Sequence, residues 1–258
     1  VLLNGNQTAL MFVYYLITRW KELGKINGKE YIVKTIVTTE TIKTIAERNG
    51  VEMYDVYTGF KWIANVMREN EGKKNYIGGG EESYGFLCED FVRDKDAVSA
   101  CVILAEIAAW AKDQGLSLYQ LLQKIYVEYG FSKEKGISVV KKGKSGAEEI
   151  EAMMKKFREN PLTEIAGSKV TYFYDYSTLK GKDYAENETV TLDMPTTSNV
   201  LQYFTEDNTK VSIRPSGTEP KIKFYMEVQG EMGCRNCFAS ADAAAMEKIE
   251  AVKKSLGI

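Results

Sequence analysis

The stretch RPSGTEPKIKF, residues 214–224, combines residue types that bind anions. The guanidinium of Arg214 can hold two phosphate oxygens at once. Two hydroxyls and several successive backbone N–H groups could come from Ser216, Gly217 and Thr218. These donors can converge on a single point. A plain surface hairpin with a solvated arginine would show the same letters, because short motifs recur by chance. The loop therefore predicts an anion site only in combination with other stretches.

A second stretch, GGGEESYGF at residues 78–86, has the composition of a ligand-binding loop. Its glycines allow the backbone to approach a ligand closely. If the loop is extended, Glu81 and Ser83 point to one side and Glu82 to the other. A carboxylate and a hydroxyl in that arrangement can hold vicinal hydroxyls of a sugar, although a flexible acidic loop would look the same. Glycoside hydrolysis is disfavoured, because adjacent carboxylates cannot flank one bond from opposite faces.

The stretch TGFK follows a predicted strand and begins a predicted helix. Thr58 and Gly59 would lie at the carboxyl end of a strand in an α/β layer, where ligands usually bind. Lys61, in the first helical turn, could reach a phosphate beside the helix N-terminus. Taken alone, this short pattern does not distinguish a ligand site from an ordinary strand-to-helix turn.

The spacing of Cys234 and Cys237 is that of a C-x-x-C motif. A zinc site would need a second pair of ligands, but the chain has no histidine, and Cys88 and Cys101 lie far back in the sequence. The βαβ context of a thioredoxin-like motif is also missing. We therefore predict that the pair is inert, with no bound zinc and no effect on folding when both residues are replaced by serine.

The composition is that of a soluble globular protein. The 258 residues are 44% hydrophobic and 27% charged, and the net charge of -2 argues against a nucleic-acid partner. No apolar run approaches the ~20 residues of a membrane span, and the cytoplasm is the expected location. The absence of histidine excludes histidine-based acids, triads and metal sites from this chain. The opening residues VLLNGNQTALMF lack a methionine, and we expect the chain to be a fragment.

The elements that must position these loops fall into two predicted domains. Strand and helix patterns alternate up to Gly130, which predicts an α/β domain with a layered mixed sheet at residues 1–130. Asp94 is the expected N-cap of its long helix, and Ser117 begins a capping box for the next. Residues 131–258 predict a smaller α+β domain, with KGKDYAENET as a polar loop and a last helix from about residue 242 to 256.

Taken in order, TGFKWI, GGGEESYGF followed by RDKDAV, and SIRPSGTEPKIKFY resemble the phosphoglucomutase/phosphomannomutase family, the α-D-phosphohexomutases. The resemblance covers nearly the whole chain and is strongest to the bacterial phosphoglucomutase branch. The GEES and RPSGTEPK loops are highly specific to this family. Its members have four domains, and this chain resembles the third and fourth.

The resemblance implies three groups of substrate-binding residues: Glu81 and Ser83 for sugar hydroxyls, Thr58, Gly59 and Lys61 along the same cleft, and Arg214, Ser216, Gly217, Thr218 and Lys223 for the substrate phosphate. Lys223 stands where the family often has an arginine. The resemblance also implies that the full-length enzyme uses Mg²⁺ and forms glucose 1,6-bisphosphate, its intermediate and activator. Its partners would be a phosphosugar substrate and the N-terminal half of the same enzyme.

The family's threonine-alanine-serine-histidine phosphoserine loop and its DGDADR-type magnesium loop do not occur in this sequence. We therefore expect the chain to be inactive alone. A stand-alone sugar-phosphate-binding module is the alternative. A nucleotide-binding α/β protein is disfavoured, because no P-loop or Rossmann-type glycine loop follows a strand. Glu-Glu-Ser favours glucose over mannose, since dual-specific relatives often have Glu-Met-Ser, and glucosamine and pentose phosphates stay open.

Overall fold

The computed structural model of the chain describes residues 2–141, 143–217 and 219–258. Its contacts divide the chain into two compact units. Unit 1 holds Val1–Ser132 and Glu231–Phe238, and unit 2 holds Lys133–Gly230 and Ala239–Ile258. Within the described ranges, no helix has the length and apolar character needed to cross a membrane.

Unit 1 is an α/β layer. Its elements, in chain order, are α1 (Gly5–Glu22), β1 (Glu30–Thr35), α2 (Thr41–Arg48), β2 (Glu52–Val56), α3 (Phe60–Asn70), β3 (Asn75–Gly80), β4 (Phe86–Cys88), α4 (Ala97–Asp113) and α5 (Leu118–Tyr129). The strand order is β2-β1-β3-β4. Strands β1, β2 and β3 are parallel, and β4 runs antiparallel to β3. The predicted layered mixed sheet is confirmed.

Helix α1 packs on β4, where the Phe12 and Phe86 rings stack with centroids 4.5 Å apart, and a second part of the unit 1 core lies between the sheet and α3. Its buried cluster consists of Tyr31, Val33, Val56, Phe60, Ile63, Met67, Tyr76 and Leu87. The three residues from α3 fall at i, i+3 and i+7, the spacing of one helical face. Burying that face against β-branched and aromatic strand residues fixes α3 on the sheet, and with it the turn that precedes α3.

Helix ends in unit 1 follow local capping chemistry. Ser117 and Gln120 form the predicted capping box at the start of α5. The N-cap of α4 is Asp96, whose carboxylate accepts the N–H groups of Val98 and Ser99. The prediction of Asp94 was therefore wrong by two residues, because two acidic residues precede this helix and only contact geometry distinguishes them.

Unit 2 is an antiparallel sheet with helices. Its elements, in chain order, are β5 (Phe131–Val140), α6 (Gly143–Glu159), β6 (Glu164–Ile165), β7 (Ser168–Asp175), β8 (Lys180–Asp183), β9 (Glu188–Thr191), β10 (Leu201–Thr205), β11 (Lys210–Pro215), β12 (Lys221–Gly230) and α7 (Phe238–Leu256). The strand order is β5-β12-β11-β10-β7-β8-β9, with β6 beside β7. The pairings from β12 through β9 are antiparallel, as the predicted α+β class requires.

Two parts of unit 2 differ from the prediction. KGKDYAENET is not a loop, because β8 and β9 form a hairpin whose turn holds Asn187 at φ 55°. Asp183 accepts the N–H groups of Ala185 and Glu186 in that turn. Strand β5 was also missed. The β8–β9 segment lacks an apolar stripe, since an exposed edge ribbon has little core to face. In β5 the polar stretch SKEKG separates Phe131 from Ile137 and Val139.

The segment Glu231–Phe238 belongs to unit 1, although β12 before it and α7 from Ala239 onward belong to unit 2. It contains a short 3-10 helix, Arg235–Cys237, and a disulfide between Cys234 and Cys237. The prediction of an inert cysteine pair did not include this bond; its statements about zinc and about the effect of serine substitutions on folding stay predictions. The 3-10 turn brings the two Cα atoms to 5.3 Å, within the range that a disulfide can bridge.

Candidate functional site

In unit 1 the predicted sugar-binding residues gather at one edge of the sheet. Parallel strands β1, β2 and β3 all end there, so the loops that follow them become neighbours. Thr58 and Gly59 follow β2, and Glu81 follows β3. The structure brings these residues together through one hydrogen bond, which the backbone N–H of Gly59 donates to Oε1 of Glu81 at 2.8 Å.

Among the predicted site residues that the structure describes, Glu81 is the most enclosed, with 5% of its surface exposed. Its second oxygen, Oε2, forms an ion pair with Nζ of Lys95 at 2.9 Å. Both carboxylate oxygens therefore have protein donors. The side chain links three segments, namely the turn before α3, the loop after β3 and the segment before α4.

Gly59 has a backbone conformation that matches this role. It is the N-cap of α3 at φ 111°, a region that favours glycine over other residues. Glycine has no side-chain acceptor that could cap the helix, and the N–H of Gly59 donates to Glu81. The carboxylate thus stabilises a turn that would otherwise leave a polar group without a partner.

The loop after β3 is a tight turn and not an extended segment. The N–H of Glu81 donates to the carbonyl of Gly85 at 2.8 Å, and Tyr84 between them has φ 71°. The assumption of a two-residue alternation is therefore wrong. Glu81 is buried and Ser83 exposed, while the partly buried Glu82 accepts a hydrogen bond from Thr35 at 3.4 Å.

The start of α1 packs directly against this turn. A Cβ atom on Gly5 would lie only 1.9 Å from the carbonyl oxygen of Glu82, so any larger residue would displace the loop. The phenol of Tyr84 donates to the carbonyl of Leu3 on the same side. The N-terminal stretch of the chain therefore supports the shape of the GEES turn.

Two lysines at this edge differ in their surroundings. Lys61 is exposed on α3, with Nζ 4.9 Å from the Trp62 ring. Lys95, to which the sequence analysis assigned no role, pairs with Glu81 and lies 6.0 Å from the Phe60 ring. The RDKDAV stretch was the available signal for Lys95, but only the fold places that lysine beside the GEES turn.

A third lysine, also missed, is structural. Lys34 on β1 is buried, and its Nζ pairs with Asp55 at 2.7 Å and with Glu40 at 2.9 Å. Asp55 is its direct neighbour in the parallel register of β1 and β2. Because a buried ammonium needs such partners, this cluster ties the loop after β1 to the strand that leads to Thr58.

In unit 2 the predicted phosphate loop joins β11 to β12. Arg214 and Lys223 are directly opposite each other in the antiparallel register. Both are partly buried, and neither forms an ion pair within the described residues. The Lys223 ammonium lies 5.9 Å from the Tyr225 ring. Two cations are thus held side by side at the mouth of the loop.

Hydrogen bonds inside the loop set its shape. The N–H of Ser216 donates to the carbonyl of Lys221 at 2.8 Å, so this donor is already engaged. The hydroxyl of Ser216 accepts the N–H of Glu219 at 3.3 Å. Gly217 is exposed, and Thr218 lies outside the described residues. The ammonium of Lys221 holds the pKa of the exposed Glu219 carboxyl below its ordinary value.

A cleft of about 470 Å³ lies beside the phosphate loop, within unit 2. It is lined by Ala147, Ile150, Glu151, Met154, Lys155, Arg158, Asn199, Pro215, Ser216, Glu219 and Pro220. Arg158 is committed to Asp175 and Asn199, each at 2.8 Å. The cleft gives the loop an open side next to α6.

The described part of the chain shows no candidate metal-binding site. Residues 2–141, 143–217 and 219–258 contain no cluster of three or more cysteine, aspartate and glutamate side chains arranged to hold an ion. The residues do not fit a magnesium site, and no step is assigned to a metal on this chain.

Comparisons with known proteins cover both units. The model of the phosphoglucomutase/phosphomannomutase alpha/beta/alpha domain III matches residues 4–129, and that of the phosphoglucomutase/phosphomannomutase C-terminal domain matches residues 138–244. A phosphoglucomutase of Staphylococcus aureus (strain bovine RF122 / ET3-1) is 37% identical over 226 residues, 88% of this chain. One from Staphylococcus haemolyticus is 34% identical over 87% of this chain. The chain spans 40% of the length of each relative.

Solved structures support the fold. The open form of pp63/parafusin, a phosphoglucomutase from Paramecium, aligns with 100% of this chain and 43% of its own, with a TM-score of 0.58 and 16% identity. A Thermus thermophilus protein described as a putative phosphomannomutase aligns with 96% of this chain and 41% of its own, with a TM-score of 0.56 and 16% identity. At such identity the likeness concerns architecture alone.

Proposed function

The chain belongs to the phosphoglucomutase/phosphomannomutase family, and we propose that it is the substrate-recognition half of an enzyme that interconverts hexose 1-phosphate and hexose 6-phosphate. The matched family domains are the third and the C-terminal one, and the chain spans 40% of its phosphoglucomutase relatives. The rest of such an enzyme would be its N-terminal half. The Glu-Glu-Ser turn favours glucose as the sugar.

The observation that carries this proposal is the opposed pair of Arg214 and Lys223. Like charges directly opposite each other on neighbouring strands are destabilising. A dianionic phosphate between them would turn that repulsion into two charge-assisted contacts, and the guanidinium can contribute two parallel hydrogen bonds. The phosphate is therefore the ligand that best suits this loop, with Ser216, Gly217 and Thr218 as further donors.

The sugar would be read at the edge of unit 1. Ser83 is exposed and can donate or accept, while Thr58 and Lys61 border the same loops. The carboxylate of Glu81 accepts the N–H of Gly59 and pairs with Lys95. When the sugar binds, Glu81 either exchanges these two donors for sugar hydroxyls or keeps Gly59 and Lys95 in position beside the sugar. Either role requires the buried carboxylate.

The reaction needs two orientations of the sugar in one site. A phosphoryl group is transferred to the sugar phosphate, the bisphosphate turns around, and the other phosphate is returned to the carrier. This chain supplies binding and orientation, through a clamp that can hold whichever phosphate is not reacting. In the full-length enzyme, Mg²⁺ would offset charge on the transferred phosphoryl group. The carrier serine and the magnesium loop would come from the N-terminal half.

An apolar stripe on α4 supports a partner of that kind. Val98, Cys101, Val102, Ala105 and Ala109 are exposed at helical spacing, and Val98 and Val102 are 74% and 62% exposed. Such a stripe is expected to be covered in the complete protein. The proposed occupant is the N-terminal half of the same enzyme, since the relatives continue well beyond the length spanned here.

Calorimetry on this chain tests the proposal. Glucose 1-phosphate and glucose 6-phosphate should bind, and Arg214→Ala should weaken both by roughly ten- to a hundredfold, since a charge-assisted hydrogen bond contributes ~1.5–3 kcal/mol. Lys169→Ala, at an exposed lysine on β7, is the matched control and should change nothing. Absence of binding, or equal losses for free glucose and the phosphosugars, would contradict a phosphate clamp.

A further inference from the structure

The disulfide lies in a place where other thiols can reach it. Cys234 is exposed and Cys237 is half-buried, in the segment Glu231–Phe238. Exposed disulfides are the labile ones, because an attacking thiolate must approach along the S–S bond. Buried structural disulfides resist such attack.

A helix N-terminus and a positive charge adjoin the pair in the chain. Cys237 immediately precedes α7, a helix of 19 residues, and the positive end of a helix stabilises a neighbouring thiolate. The first turn of α7, residues 238–241, carries no carboxylate that would oppose this effect. Arg235, which lies between the two cysteines in the sequence, adds a positive charge.

The other two cysteines have different environments. Cys88 is buried in β4, and burial raises the pKa of its thiol to about 12. Cys101 is an exposed free thiol on α4. The chain therefore contains one buried thiol, one exposed thiol and one disulfide, and the only cysteines bonded to each other are Cys234 and Cys237.

We propose that Cys234 and Cys237 form a redox site that undergoes thiol–disulfide exchange with dithiol reductants. A thiolate of the reductant attacks Sγ of the exposed Cys234, and the S–S bond breaks with its electron pair leaving on Sγ of Cys237. The second thiol of the reductant then attacks the mixed disulfide and releases Cys234. Two electrons and two protons pass to the protein, and the reductant becomes a disulfide.

The disulfide lies in the segment Glu231–Phe238, which belongs to unit 1. Phe238, next to Cys237, packs its ring against Tyr119, Tyr126 and Phe131, with centroids 5.4, 6.3 and 5.8 Å away. The disulfide limits the conformations of the four residues leading into this aromatic cluster. Reduction should therefore loosen residues 231–238 before it affects the rest of unit 1.

Thiol labelling under native conditions tests the site. After exposure to air without added reductant, a maleimide should modify Cys101 alone, one thiol per chain. After millimolar dithiothreitol it should modify Cys101, Cys234 and Cys237, three per chain, with Cys88 unmodified until the chain is unfolded. In the control Cys101→Ser, the count should change from zero to two. In Cys234→Ser/Cys237→Ser it should stay at one under both conditions.

Two results would overturn the proposal. One is labelling of Cys234 and Cys237 after oxidation, which would mean that the bond does not form. The other is a disulfide that dithiothreitol reduces only in denaturant, which would make it structural. Hydrogen exchange followed by mass spectrometry tests whether the disulfide restrains its segment. Reduction should speed exchange in residues 231–238. Unchanged exchange there would contradict the proposal that the disulfide restrains these residues.

Discussion

Gly59 and Glu81 are joined across 22 positions of the chain by a hydrogen bond of 2.8 Å, from the backbone N–H of the glycine to the carboxylate of the glutamate. The other carboxylate oxygen holds Lys95. The TGFK turn, the GEES turn and the RDKDAV stretch therefore form one connected assembly in unit 1. A change in the Glu81 carboxylate should be felt by all three.

Glu81→Ala should destabilise unit 1 more than Glu81→Gln. Alanine leaves the N–H of Gly59 without its acceptor, and an unsatisfied donor of this kind costs ~1–3 kcal/mol. Glutamine keeps an acceptor for Gly59 and loses the charge that pairs with Lys95. Chemical denaturation of the chain measures the order, with the exposed Glu89→Gln as a control. Equal effects of alanine and glutamine would show that the hydrogen bond contributes nothing.

In the full-length enzyme, Glu81→Gln should lower turnover even though the fold is kept. The neutral amide cannot form an ion pair with the Lys95 ammonium, so Lys95 is no longer fixed beside the GEES turn. Steady-state kinetics on several hexose phosphates would show a fall in kcat and a changed preference among epimers. Kinetics identical to the parent's would remove Glu81 from the site.

The α4 stripe predicts that its substitutions affect stability differently in this chain and in the proposed full-length enzyme. Val98→Asp combined with Val102→Asp should leave the stability of this chain within ~0.5 kcal/mol, because both side chains are exposed. In the full-length enzyme the same pair should lower the free energy of unfolding by roughly 1–3 kcal/mol, since an unpaired charge becomes buried.

Val140→Asp is the matched control, because Val140 on β5 is also 62% exposed but lies outside the stripe. Thermal unfolding of both forms measures the difference. If the chain forms a dimer that the stripe substitutions dissociate, the occupant is a second copy and not the N-terminal half.

The acid stability of unit 2 should depend on Asp207. Burial opposes ionisation of this carboxyl, but Lys248 and the hydroxyls of Thr205 and Thr209 outweigh it and lower its pKa from 3.8 to about 2. Because the folded pKa lies below the unfolded one, the stabilisation is present above about pH 4 and is lost as the pH falls towards 2. Lys248 forms its ion pair with Asp207 at 2.7 Å.

Asp207→Asn should therefore lower stability at neutral pH and flatten its dependence between about pH 4 and pH 2. Asp193→Asn, at an exposed position in the loop after β9, is the control and should keep the parent's profile. Urea denaturation at a series of pH values measures both. A variant with the same slope as the parent would show that other carboxyls dominate acid unfolding.

The chain by itself should have no mutase activity. Phosphoryl transfer needs an in-line carrier and a metal to offset charge, and no threonine-alanine-serine-histidine or DGDADR stretch occurs in these 258 residues. The measurement is a coupled assay with glucose 1-phosphate, Mg²⁺ and glucose 1,6-bisphosphate. Turnover that survives purification and disappears in Arg214→Ala would contradict the assignment of this chain as a recognition half.

Local features were predictable from the sequence because their signals come from residues within a helical turn of each other. The capping box of Ser117 and Gln120 and the strand and helix on either side of the TGFK stretch are of this kind. The motifs were also sufficient for the family, since their residue types and order carry the resemblance without any distance.

Only the tertiary structure decided what those residues touch. The order of parallel strands places Glu81 beside Gly59, and the segment before α4 brings Lys95 to the same carboxylate. The antiparallel register sets Arg214 opposite Lys223. A 3-10 turn converts a C-x-x-C spacing into a disulfide. Such contacts depend on strand order, register and backbone dihedrals, which side-chain types along the chain do not specify.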